Sequence, residues 1–116
     1  MHREPMTLDA FKTARNTLHG VLRSTPLIHS PYLSKLSGNN VYLKPENMQV
    51  TGAYKIRGAY YKISTLSEEE KARGLITASA GNHAQGVAYA AQAAGVKATI
   101  VMPRTTPDIK VDAVRR

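Results

Sequence analysis

A chain of 116 residues with 42% hydrophobic content can bury one modest core, so it reads as one domain or part of one. It has no cysteine, which excludes disulfides, thiolate metal sites and cysteine nucleophiles, and no run approaches the ~20 apolar residues of a membrane-spanning helix. The net charge of +8 is carried by scattered Lys and Arg residues, Arg115-Arg116 being the only adjacent pair, while acids gather at Glu68-Glu69-Glu70; this reads as a solvated surface, not a nucleic-acid stripe, and leaves an anionic small molecule open as ligand.

The opening Met1-His2-Arg3-Glu4-Pro5 runs into a mixed polar segment instead of an apolar core with a cleavage site. No secretory signal is expected, and a cytoplasmic location is the default. Over residues 7–22, Leu8, Phe11, Leu18, Val21 and Leu22 recur at near-helical spacing and predict an amphipathic helix, ended by Thr25-Pro26. A short extended piece follows at 27–30. The cluster Ser37-Gly38-Asn39-Asn40 then turns the chain into the β-prone run Val41-Tyr42-Leu43.

After Pro45 helical and strand-like pieces alternate. Ile56, Ala59, Tyr60 and Ile63 share one face of a helix, and Ser67 with Glu70 forms a capping box for a short turn ending at Gly74. Leu75-Ile76-Thr77 reads as a short buried strand. Asn82 is placed to cap the next helix, whose small face of Ala84, Val87, Ala88 and Ala91 would let it lie close to a sheet before Gly95 stops it. Residues 98–102 form a second apolar strand closed by Pro103, and Thr106-Pro107 opens a last helix with a cap followed by proline. Strand, helix, strand, helix at this spacing predicts an α/β fold with parallel strands and flanking helices. With so few strands, the fold is expected to be cut short.

Two stretches sit where an open α/β sheet usually binds ligands, between a strand's carboxyl end and the next helix. The first holds Lys55 at the mouth of a helix, with Gly52 and Ala53 leaving the backbone room. An amine held in such a pocket gives up its proton more readily and can attack a carbonyl to form a Schiff base. The plainer reading is that Lys55 is one of eight lysines, most of which are solvated, that Tyr54 packs, and that Arg57 screens the surface. In the second stretch, 77–86, tiny side chains would let a ligand approach backbone N–H groups at a helix N-terminus, a cradle for a carboxylate or phosphate. Gly81-Asn82 could equally be a turn and a cap, and His83 a loop histidine.

The run 49–59, Q-V-T-G-A-Y-K-I-R-G-A, and the run 79–86, S-A-G-N-H-A-Q-G, together resemble the threonine deaminase and serine dehydratase group of fold-type-II pyridoxal-phosphate enzymes, whose architecture is tryptophan synthase β-like. The tail 101–115 looks like the same family, and two long motifs in order are far more specific than a lone glycine pattern. The resemblance implies that Lys55 carries pyridoxal 5'-phosphate as a Schiff base and later moves the substrate's α-proton. It implies that Tyr54, where the family usually has phenylalanine, packs beside the pyridine ring, and that Asn82 hydrogen-bonds the cofactor's phenolic oxygen. Ser79, Ala80, Gly81, Asn82 and His83 would hold the substrate carboxylate, largely through backbone donors. No metal is implied.

The reaction implied is β-elimination, taking L-threonine to 2-oxobutanoate and ammonia and L-serine to pyruvate and ammonia. The neighbouring serine racemases look to place a second serine where this chain has Ala80. Alanine has no hydroxyl to return a proton from the opposite face, so elimination without appreciable racemisation is expected.

By the same resemblance residues 1–48 would begin the large cofactor domain and residues 49–116 an incomplete small α/β domain. The glycine-rich phosphate loop and most of the large domain would lie beyond Arg116. Little or no activity is expected of the 116 residues alone, and a homo-oligomer of the full-length protein. The alternatives are a serine racemase or other fold-type-II lyase, a non-catalytic fragment that associates with a partner chain, and a basic nucleic-acid binder.

Overall fold

The computed structural model describes residues 6–115; the segment 1–5, which bears on a secretory signal, and Arg116 of the terminal arginine pair lie outside them. The first helix, α1 (Leu8–Leu18), starts at Thr7, whose hydroxyl oxygen accepts from the Ala10 N–H at 3.2 Å. It ends about four residues earlier than the apolar spacing suggests. Gly20 takes φ +79°, and the N–H groups of Val21 and Leu22 both return to the Leu18 carbonyl, each at 3.2 Å, so residues 19–22 form a turn in place of a further helical turn.

Strands β1 (Ile28–His29) and β2 (Tyr42–Leu43) pair antiparallel, Ile28 opposite Leu43 and His29 opposite Tyr42. The run at 41–43 thus belongs to a small ribbon of its own and is not a third strand of the parallel sheet. Between the two strands lies a helix that the apolar pattern does not announce, α2 (Pro31–Ser37). It has Ser30 as N-cap, proline in its first turn and Gly38 left-handed at its C-cap.

The alternating part follows as α3 (Lys55–Ser64), α4 (Glu68–Arg73), β3 (Leu75–Ala78), α5 (Asn82–Ala93), β4 (Ala98–Val101) and α6 (Asp108–Arg115). The capping box at α4 is as expected: Ser67 Oγ accepts from the Glu70 N–H, and Glu70 Oε2 from the Ser67 N–H. Strands β3 and β4 run parallel, with Leu75 beside Ala98 and Ala78 beside Val101. Helix α6 forms one residue past Pro107, and the Thr106 hydroxyl donates back to the Pro103 carbonyl at 2.7 Å.

Alternation within the strands gives the sheet two unlike faces. Leu75 and Ala98 pack against a buried cluster of Ala59, Ile63, Val87 and Ala90, whereas Ile76 is 77% exposed and Val101 is also open. The expected fully buried strand is therefore half-buried, because the described helices cover one face of it. Among the described residues, no helix is long and apolar enough to cross a membrane.

The small-residue face of α5 packs chiefly against helix α3, with the sheet as a secondary contact. Gly86 sets the approach: a Cβ there would lie 3.2 Å from the Ile56 nitrogen and 3.3 Å from the Lys55 carbonyl carbon. Ile56, at the contact, is completely buried. The second glycine-containing motif is thereby locked to the first turn of the helix that begins with Lys55.

Candidate active site

Lys55 is the first residue of α3, and what places it is the segment before it. After β2 the chain makes a 3-10 turn, Glu46–Met48, and reaches Gln49, which is only 3% exposed. The Gln49 amide satisfies its polar atoms by reaching back across the chain. Its Oε1 accepts from the N–H groups of Arg23 (2.9 Å) and Val50 (3.0 Å), and its Nε2 donates to the Arg23 carbonyl at 2.9 Å. Gly52 then turns at φ +69°, a left-handed conformation that other residues adopt at a cost, with its N–H on the Gln49 carbonyl at 2.8 Å.

Glu46 and Arg57 close this loop. Arg57 donates through Nε to Glu46 Oε2 at 2.7 Å and through its second terminal nitrogen to Oε1 at 2.8 Å. The Thr25 hydroxyl donates to the same Oε1. Lys44 Nζ lies 3.9 Å from Oε1 and donates to the Thr25 carbonyl at 2.9 Å. The Arg57 fork, chiefly, holds the Glu46 carboxyl at about 2 against an ordinary 4.5. Partial burial opposes this, and the Thr25 hydroxyl and the charges of Arg57 and Lys44 add to it. The carboxylate in return raises the Arg57 guanidinium further. Arg57 is thus a built ion pair, not the surface screening charge that its sequence context suggests.

The second stretch crosses from β3 to α5. The Ser79 N–H continues the sheet to the Val101 carbonyl at 3.0 Å, and Ser79 Oγ accepts from the Gly81 N–H at 3.3 Å. Gly81, not Asn82, is the N-cap, and no side chain caps the helix. Asn82 is already helical because Gly81 takes the non-helical entry position (φ −137°, ψ −147°). The N–H groups of Asn82, His83 and Ala84 therefore have no partner within the helix, and they sit at its positive end.

An open groove of about 600 Å³ runs between the two stretches, lined by Tyr54, Lys55, Thr77, His83 and Val87 among others. It joins three of the residues singled out from sequence: Tyr54, Lys55 and His83. Ser79, Ala80, Gly81 and Asn82 lie beside it, on the turn into α5, and do not line it. Lys55 and His83 are exposed, and Tyr54 is 61% exposed, so the amine stands at the rim of an open groove and not in an enclosed pocket. Sequence reasoning included Thr77 and Gln49 in its two stretches without giving either a role, and it gave none to the supports Glu46, Thr25 and Arg23. Nothing in the spacing of Glu46 and Arg57, eleven residues apart, points to their pairing.

These residues fit a pyridoxal-phosphate group. A primary amine and an aromatic ring line a groove large enough for a pyridine ring, and His83, in the uncapped first turn of α5, lines it too. A family model described as pyridoxal-phosphate dependent enzyme matches residues 18–116. The chain is 56% identical over 110 residues to an L-threonine ammonia-lyase of Thermotoga maritima, covering 95% of this chain and 27% of that one. Among solved structures, the processed form of threonine deaminase isoform 2 from Solanum lycopersicum matches with TM-score 0.78 at 44% identity, over 98% of this chain and 33% of that one. Serine racemase from Dictyostelium discoideum matches with TM-score 0.87 at 36% identity, over 95% of this chain and 36% of that one. The chain thus spans about a third of the length of the relatives it matches, and over that third it belongs to the pyridoxal-phosphate-dependent enzyme family.

Proposed function

We propose that this segment supplies the cofactor lysine and the carboxylate-binding turn of a threonine ammonia-lyase, acting on L-threonine and on L-serine. The observation that carries the reading is the shared groove: Lys55 at the start of α3 and His83 at the uncapped start of α5 face the same space. In this reading residues 1–48 open the large domain, residues 49–116 belong to the small one, and the full-length enzyme is a cytoplasmic homo-oligomer.

Bound pyridoxal phosphate supplies an electron sink for negative charge developing at the substrate's α-carbon. Lys55 would hold the cofactor through Nζ, and the same amine would accept the substrate's α-proton. The N–H groups of the first turn of α5, with the 79–81 turn before it, hold the substrate carboxylate and so fix which bond to the α-carbon is broken. Tyr54 would pack beside the cofactor and Asn82 would hydrogen-bond it. The β-hydroxyl leaves as water, and hydrolysis of the released enamine gives 2-oxobutanoate and ammonia.

The likeness to serine racemase favours one second reading, epimerisation of serine. Against it stands Ala80, which has no hydroxyl to deliver a proton from the face opposite Lys55. With the full-length chain and pyridoxal phosphate we expect 2-oxobutanoate from L-threonine and pyruvate from L-serine, with D-serine below a few per cent of product by chiral chromatography. Abundant D-serine would replace the lyase reading with the racemase one, and absence of both oxo acids would overturn the lyase reading.

A further inference from the structure

Arg57 stands two residues past Lys55, in the same first turn of α3, and its guanidinium is held by two short bonds to one carboxylate. That carboxylate is itself fixed. The Glu46 side chain is only 16% exposed, takes a further bond from the Thr25 hydroxyl, and lies on a 3-10 turn anchored by the buried Gln49 amide. Flexible surface pairs constrain geometry little, whereas a bidentate fork on a half-buried carboxylate fixes both distance and direction.

The fork also spans the loop at 47–54, so it sets where the first turn of α3 begins relative to the chain that leads into it. We propose that Glu46 and Arg57 are positioning residues for Lys55, the fork fixing the direction in which the first turn of α3 presents the Lys55 amine to the groove. This rests on the reading of Lys55 as the cofactor lysine.

Lys62 supplies an internal reference, since it lines the same groove two turns further along α3. The full-length protein, treated with pyridoxal phosphate and then borohydride, is digested, and the labels on Lys55 and Lys62 are compared by mass spectrometry. Wild type should favour Lys55 by at least about tenfold, as expected of a pre-oriented amine. In Glu46→Gln and in Arg57→Lys, which keeps the charge but loses the fork, that ratio should fall about tenfold, with the circular dichroism spectrum unchanged.

A merely structural pair would lower the melting temperature and leave the ratio alone, and a wild-type ratio in folded Arg57→Lys would overturn the proposal. Should Glu46→Gln fail to fold, Arg57→Lys carries the same comparison. Failure of Lys55 itself is seen separately, in the wild-type arm: no preference over Lys62 there would sink the reading of Lys55 and the positioning role with it.

Discussion

Replacing Glu46 with glutamine is expected to lower the unfolding free energy at neutral pH by about 3 kcal/mol and to remove much of its dependence on acid. The folded chain holds this carboxyl at about 2 against an ordinary 4.5, so the folded state binds its proton less readily than the unfolded state does. The stability this confers is present in full above the unfolded value, and it is lost as pH falls through 4.5 toward 2. Seen from the partner, the same interaction is lost because Arg57 is left facing a neutral amide in a half-buried setting. Removing one partner of a fully buried pair costs ~3–5 kcal/mol, and partial exposure brings this case to the lower end. Urea unfolding at pH 7 and pH 3 measures both effects. Wild type should weaken markedly between the two and Glu46→Gln much less; parallel losses would mean that the fork does not hold in solution.

Alanine at Gly86 should loosen the junction between the two motifs. Its Cβ would press on the Ile56 nitrogen at 3.2 Å and on the Ile56 Cα and Lys55 carbonyl carbon at 3.3 Å, which is backbone already pinned by the Arg57 fork and cannot easily give way. Overpacking costs ~1–3 kcal/mol, against a gain of ~1 kcal/mol from alanine's better helix propensity. The net loss should be about 1 kcal/mol and at most ~2 kcal/mol. Gly58, inside α3 with nothing within 4 Å of its own Cβ position, is the control. Alanine there gains propensity with no clash and should stabilise by ~0.5–1 kcal/mol. Opposite signs for the two variants in equilibrium unfolding would confirm the close approach, and equal stabilisation would disprove it.

How much of this was legible in the sequence depended on whether a signal was local. The capping box at Ser67 and Glu70, the strand and helix order after Pro45, and the apolar face of Ile56, Ala59 and Ile63 all rest on residues within one or two turns of each other, and the structure has them. Helix α2 carries the same cap-then-proline signal at Ser30-Pro31 that was read at Thr106-Pro107. Its seven residues leave Tyr32 and Leu36 exposed, so no apolar periodicity stands out. The pieces that form the ribbon of β1 and β2 were readable at 27–30 and 41–43, but their pairing was not, because two-residue strands have no alternation to read.

At the site, the position of Lys55 and the turn into α5 were readable because glycine and small residues mark them. The supports were not. Glu46 meets Arg57, and Gln49 meets Arg23, only after the chain has folded back by 11 and 26 residues, and composition carries no trace of such pairings. Asn82 misled for a physical reason: an asparagine at a helix start usually caps, but Gly81 takes the cap position here and moves Asn82 into the helix.

Of eight lysines, Lys55 is the one proposed to carry the cofactor. The direct measurement is to incubate the full-length protein with pyridoxal phosphate, reduce with borohydride to make the attachment permanent, and map the added mass by peptide sequencing, with Lys55→Ala alongside. The account predicts one label per chain, on Lys55, and none above background in Lys55→Ala. A label on another lysine, or one spread evenly over several and undiminished in the variant, would contradict it.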